Sequence, residues 1–283
     1  MVLLTAGYYF ASITPDPWLL RLLFFVFTAG ILISLYRARR GEPVYIRRLP
    51  GLDKIDEAVG RAVEMGRPVF FVPGIGGISD PATLTAFGLL DRAATRCARY
   101  NVRLLVVTAE PVAVPIITNI IREAYRSENK LEYFIEDNIR YLPGGQFPFA
   151  VAAMGWMRRE RVAASLLFGA FFAESLMLSE TGQQLGAIQI AGTPQPLQIP
   201  FLVTTCDYVL IVEEYLAAHA YLTREPVHVA SIRMQDLMKA LMVFVVVLGI
   251  AAATVQAAGL TDFNWAEEGI EKFFKPLREW LFS

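Results

Sequence analysis

The stretch Val72-Pro73-Gly74-Ile75-Gly76-Gly77-Ile78-Ser79-Asp80 is where the residue types of this chain come closest to a ligand-binding pattern. A glycine loop between a buried strand and a capped helix lets the backbone approach a phosphate, and the helix N-terminus stabilises its charge. Gly74, Gly76 and Gly77 supply that freedom, Ser79 or Asp80 caps the helix, and Pro81 suits its first position. Two features depart from the dinucleotide-binding fingerprint. Ser79 stands where the third glycine belongs, and Glu110, the acid after the next strand, lies farther along than a ribose-binding acid. A tight strand-to-helix turn that binds nothing accounts for the same glycines, so both readings are open.

A second constellation depends on the strands being parallel, because ligands of open parallel sheets bind at the carboxyl ends. The predicted elements bring Asp80, Glu110, Glu174, Glu213 and Glu214 to that edge, with Thr108 and Thr193. Such a rim could hold a divalent cation or do acid–base work. Acids in first helical turns also simply complement the helix dipole, which explains each one separately. No metal site and no cofactor is assigned, since the chain has 2 His (His219, His228) and 2 Cys (Cys97, Cys206). The histidines fall in or after the last helix of the domain, so no nucleophile–histidine–acid set forms and no catalytic residue is named. Cys97 and Cys206 lie in apolar stretches and are expected to pack as core residues without a disulfide.

The elements that position these residues alternate. Helices are predicted over 51–65 (on the surface), from Pro81, around Ile116–Ala124, and over 147–159, 172–182, 199–206 and 213–222. Strands are predicted at 68–74, 102–108, 139–142, 162–168, 186–192 and 208–212. Strands that are apolar throughout and separated by helices indicate a parallel sheet covered on both faces. The expected fold is α/β: a Rossmann-like, doubly wound, mainly parallel sheet of about six strands, flanked by two transmembrane helices.

The flanking spans come from two apolar runs, residues 18–36 and 240–260. Each is about as long as a helix needs to cross roughly 30 Å of hydrocarbon. Arg37, Arg39, Arg40, Arg47 and Arg48 follow the first; Arg224, His228, Arg233 and Lys239 precede the second. Positive residues stay on the cytoplasmic side, which predicts a cytoplasmic centre and both termini outside. The division expected is an outer segment 1–17, a span 18–36, a basic juxtamembrane segment with the surface helix 37–66, the α/β domain 67–226, a linker 227–239, the second span, and an outer amphipathic helix 261–283. A third span at 162–178 is an alternative; it would put Glu174 at mid-depth.

The whole chain has 283 residues, is 55% hydrophobic and carries a net charge of −1, with a mean hydropathy of +0.43. Two spans account for part of that apolar excess. The near-neutral charge argues against nucleic acid as a partner. Gly249, Ala253 and Ala257 recur at four-residue spacing and offer a close-packing face to another helix. In the tail, Asn264 and Glu267 have capping-box spacing, and Ile270, Phe273, Phe274, Leu277, Trp280 and Leu281 follow the helical period. That segment is suited to membrane lipid or to another membrane subunit.

The stretches VYIRRLPGLDKIDEAVGRAVEMGRPVFFVPGIG, FFAESLMLSETG, GAIQIAGT and CDYVLIVEEYLAAHAYLTREP resemble a family of bacterial membrane proteins that contain a domain of unknown function. The resemblance covers most of residues 44–226. It implies a membrane-tethered α/β domain in the bacterial cytoplasmic membrane and brings no activity or site residue. The function expected is a non-catalytic, oligomer-forming scaffold or accessory subunit of a membrane assembly. A membrane-attached enzyme or sensor using the 74–80 loop for a nucleotide or metal-bound ligand is the alternative. A transport or proton-handling protein would require the third span.

Overall fold

The computed structural model describes residues 50–223 throughout, together with 28–30, 32, 36, 236–243, 246, 247, 250 and 254. The chain divides into two compact units, Met1–Arg40 with Ala230–Ser283, and Gly41–Val229. In the first unit the described residues are helical. Among the described residues no helix is long and apolar enough to cross a membrane. Both apolar runs lie largely outside these residues. Gly249, Ala253, Ala257 and the tail residues Ile270, Phe273, Phe274, Leu277, Trp280 and Leu281 lie wholly outside them.

Among the described residues the second unit contains six strands: β1 (Val69–Gly74), β2 (Leu104–Thr108), β3 (Ile139–Tyr141), β4 (Ala164–Ala170), β5 (Ile188–Thr193) and β6 (Tyr208–Ile211). The same described residues form seven α-helices: α1 (Pro50–Met65), α2 (Pro81–Tyr100), α3 (Ala113–Ser127), α4 (Gln146–Glu160), α5 (Glu174–Gln184), α6 (Ile199–Thr205) and α7 (Glu213–Thr223). The sheet order is β3-β2-β1-β4-β5-β6, and every pairing is parallel. The fold is therefore α/β and Rossmann-like. Its strand order reverses between β1 and β4, the position where open sheets of this kind leave a crevice.

Side chains alternate between the two faces of the sheet because the strand period is two. Val69, Phe71, Val106, Leu166, Phe168 and Ile190 face one layer, where α1, α2, α3 and α7 pack. Phe70, Val72, Leu105, Val107, Leu167 and Ala191 face the other, covered by α4, α5 and α6. Helix α1 is more than the surface helix expected, since Leu52, Ile55, Ala58, Val59 and Ala62 are all fully buried. Its charges serve the outer side, where Asp56 pairs with Arg96 of α2 at 2.9 Å. Helix α2 sits at the centre of its layer: Ala86, Ala93, Ala94 and Ala98 are small enough for neighbouring helices to approach.

Residues 162–178 are not a third span. They form the central strand β4, a turn and the start of α5, and β4 is bonded to β1 on one side and β5 on the other. The apolarity that suggests a span is that of a strand buried on both faces. The strand lies two residues later than expected, because the Val162 N–H closes α4 by donating to the Met157 carbonyl at 3.3 Å. Helix α5 also starts late. The Glu174 carboxylate accepts the Phe172 N–H at 2.9 Å and holds Phe172 and Ala173 in the preceding turn.

One polar side chain of the interior fastens two helices to the sheet. Gln189 of β5 is 1% exposed, and its Nε2 donates to the Ser179 carbonyl of α5 at 2.7 Å and to the Thr205 carbonyl of α6 at 2.8 Å. Replacing it leaves two carbonyls without that donor. Gln189→Leu is expected to lower stability by about 2 kcal/mol, read by chemical denaturation of the full-length chain. An unchanged midpoint would show that Gln189 does not fasten the two helices.

Candidate functional site at the strand-order reversal

The residues singled out at the strand ends do share one rim, because all six strands run the same way. They do not converge on one point. Thr108 and Glu110 form a local turn, in which the Glu110 N–H donates to Thr108 Oγ1 at 3.1 Å. Thr193 donates to Gln195 Oε1 at 2.9 Å, and the same oxygen accepts the Phe171 N–H at 3.3 Å, linking the ends of β4 and β5. Glu174 is fully buried and accepts from Gln146 Nε2 at 2.6 Å. Glu213 is exposed at the start of α7. Among the described residues no three His, Cys, Asp or Glu side chains come together as a metal site would require.

The tightest construction is the seam where β1 and β4 end. The pairing is irregular between Val72 and Gly74, after which Gly74 lies opposite Ala170. Gly74 has φ +79°, and a Cβ there would lie 2.5 Å from the Ala170 carbonyl oxygen. Across the seam Gly169 has φ +143°, and its Cβ would lie 2.2 Å from the Pro73 carbonyl oxygen. Both contacts are to backbone, which cannot swing away as a side chain can. The next N–H, on Ile75, donates to the Ala170 carbonyl at 3.0 Å. From there the loop crosses the sheet edge, with Ile75 packed on one layer and Ile78 on the other.

Asp80, not Ser79, caps α2: its backbone is extended and Oδ1 accepts the Ala82 N–H at 2.8 Å. Pro81 takes the first helical position as expected. Gly76 faces the helix start. A Cβ on it would lie 2.9 Å from Asp80 Oδ2 and 3.0 Å from both Thr83 Oγ1 and Ala170 Cβ. Gly77 has open space around it and is exposed, as is Ser79. The first turn of α2 is fastened from outside by Tyr215 of α7, which is fully buried and donates its hydroxyl to the Ala82 carbonyl at 2.6 Å. Burial pushes the Tyr215 hydroxyl well above its ordinary pKa, and the Asp80 carboxylate adds to the shift. Its ring stacks on Phe168 of β4 at 6.3 Å between centroids. The corner before α7 holds Val212 at φ +39°, a left-handed conformation that costs a β-branched residue energy.

Neither cysteine is set up as a nucleophile. Cys97 is buried, and burial drives its thiol far above the usual range. Burial likewise raises Cys206 to about 12, and both thiols are free.

On the layer of α4, α5 and α6 the same rim is apolar. The Gln146–Glu174 bond ties the start of α4 to that of α5, and Ser175 donates to Gln198 Oε1 at 3.1 Å, tying in the turn before α6. Around these joints Phe147, Val151, Phe172, Leu176, Leu197 and Phe201 remain exposed, and Leu197 is 81% exposed. This cluster was not legible in the sequence, and neither were the roles of Thr83, Gln146, Gln195, Tyr215 and Gly169. Only Gly169 carried a signal, as a lone glycine inside an apolar strand, which marks close approach of another backbone.

Two substitutions test the seam and its fastening. Gly169→Ala is expected to cost about 3 kcal/mol or more, from the collision and the positive φ together. Tyr215→Phe is expected to cost about 1 kcal/mol by removing the buried hydrogen bond that its hydroxyl adds to the Ala82 carbonyl. Both are read as unfolding midpoints, and a neutral Gly169→Ala would contradict the seam geometry.

No curated protein matches the chain, and no solved structure matches it. A family profile described as a domain of unknown function, DUF6754, matches residues 13–264, taking in the α/β unit and both apolar runs, and the chain belongs to that family.

Proposed function

We propose that this chain is a membrane-anchored, non-catalytic scaffold or accessory subunit whose α/β units associate copy to copy. The observation that carries this reading is the exposed cluster Phe147, Val151, Phe172, Leu176, Leu197 and Phe201 around the starts of α4, α5 and α6. These six side chains present on the order of 500 Å² of apolar surface, as much as the largest patch on a typical monomer. None is charged; of their polar neighbours Gln146, Gln195 and Gln198 are neutral amides, and the Glu174 carboxylate is fully buried. An uncharged apolar centre suits a self-complementary interface, where a two-fold axis sets the patch against an identical copy of itself without repulsion. Two such patches would bury on the order of 1,000 Å², where specific interfaces begin.

Anchoring is supported by the apolar runs 18–36 and 240–260 and by the arginines that follow the first. An α/β unit on the cytoplasmic side of the membrane, with both termini outside, is the placement those charges favour; a bacterial cytoplasmic membrane is what the family resemblance implies. The non-catalytic part rests on how the rim is occupied. Thr108, Thr193 and Glu174 are engaged with Glu110, Gln195 and Gln146, as structural joints are. Ligand binding at the 74–80 loop is a second reading, favoured by the surroundings of Gly76 and Thr83.

Leu197→Glu combined with Val151→Glu places charge at two highly exposed positions without touching the core. The full-length chain, extracted in mild detergent and cross-linked or sized by light scattering, is expected to be a dimer or larger. The double variant is expected to be monomeric with an unchanged unfolding midpoint. A wild-type chain that is monomeric at every concentration, or a variant with the same copy number, would overturn the proposal.

A further inference from the structure

We propose that the N-terminus of α2 and the 74–80 loop bind a phosphate-bearing group, and that Thr83 contacts it. Thr83 is 2% exposed, and its Oγ1 has no hydrogen-bond partner. A buried hydroxyl left in that state is destabilising, because it has lost water and gained no partner. Its neighbour Thr85 avoids that cost by donating back to the Pro81 carbonyl at 2.9 Å. Thr83 instead points at the loop, with Oγ1 3.0 Å from where a Cβ on Gly76 would stand.

The backbone beside it supplies further donors. Among the described residues, the N–H groups of Gly76, Gly77, Ile78 and Ser79 donate to no protein group. The amides on either side of them are engaged, Ile75 to the Ala170 carbonyl and Asp80 to the Gly77 carbonyl, which fixes the loop in place. Consecutive unengaged amides before a 20-residue helix are the kind of donor set that anion-binding loops use, and the helix dipole adds to it. The hydroxyl and amides are all donors, matching the acceptor oxygens of a phosphate. Asp80 opposes this charge: Oδ1 is engaged in the cap, while Oδ2 lies 2.9 Å from the same Gly76 Cβ position. The site therefore holds phosphate against one carboxylate, and affinity is limited by that residue. This proposal is independent of self-association through the apolar cluster.

The test is titration calorimetry on the full-length chain with inorganic phosphate, AMP and ATP, the last with and without magnesium. A parallel arm measures binding to phosphatidylcholine vesicles with and without phosphatidic acid. Saturable binding to a soluble probe identifies a phosphate source in solution; a response confined to phosphatidic acid identifies a lipid headgroup. In either case Thr83→Val, which keeps the side-chain shape, is expected to weaken binding about tenfold. Its unfolding midpoint should stay level or rise, since an unpartnered hydroxyl is removed. Asp80→Asn is expected to strengthen binding about threefold by removing the opposing charge. No binding by wild type in any arm, or binding that Thr83→Val leaves unchanged, would overturn the site.

Discussion

At the ends of β1 and β4 two backbones come closer than any side chain would allow, and much of the α/β unit is arranged by that contact. Gly74 and Gly169 each occupy positive φ, and each places its missing Cβ against a carbonyl oxygen of the other strand. The contact ends regular pairing at Val72 and sends the chain over the sheet edge. The two central strands separate there into a loop leading to α2 and a turn leading to α5, on opposite layers. Any side chain at either glycine would push the strands apart and move both helix starts.

That contact sets the two surfaces that carry the functional proposals. On one layer it brings the 74–80 loop over the first turn of α2, where Asp80 caps and Tyr215 holds the Ala82 carbonyl from α7. On the other layer the turn after β4 is stiffened by three joints: Gln195 to the Phe171 N–H, Glu174 to Gln146, and Ser175 to Gln198. Amides and a buried carboxylate satisfy the backbone there without adding exposed charge, which leaves the surrounding Phe147, Phe172, Leu176 and Leu197 as an apolar surface. The buried Glu174 is held by two hydrogen-bond donors, one of them backbone, which offsets part of the cost of taking a carboxylate out of water.

Most of the fold was legible because parallel strands buried on both faces read as short, fully apolar runs, and helices between them as periodic ones. Phe70–Val72 and Leu104–Val107 could hardly be anything else. The segment 162–178 was ambiguous for the same reason, since a doubly buried strand and a span are alike in composition; only pairing with β1 and β5 separates them. The rim was half legible. Loop glycines and a capping Asp80 are local signals, and strand direction puts their neighbours on one edge. Thr83, Gln195 and Tyr215 were not, because their roles come from what lies across the sheet or on another helix. Gln195 reaches β4 from beyond β5, and Tyr215 reaches Ala82 across 133 positions of sequence. The apolar cluster was hidden for a related reason: exposure of Leu197 or Phe172 depends on how three helix starts are joined, and apolar residues at those spacings equally suit a core.

The close approach of β1 and β4 should make their seam rigid while the amides of Gly76, Gly77, Ile78 and Ser79 in the loop beyond it stay unengaged. Hydrogen exchange on the full-length chain, resolved to individual amides, measures both halves at once. Amides of Phe70, Phe71, Leu166 and Leu167 should exchange only through global unfolding, while those of Gly76, Gly77, Ile78 and Ser79 exchange many orders of magnitude faster. Protection of the loop amides equal to that of the strands would show that they are already hydrogen-bonded, and fast exchange in β1 or β4 would show that the seam does not hold the sheet together.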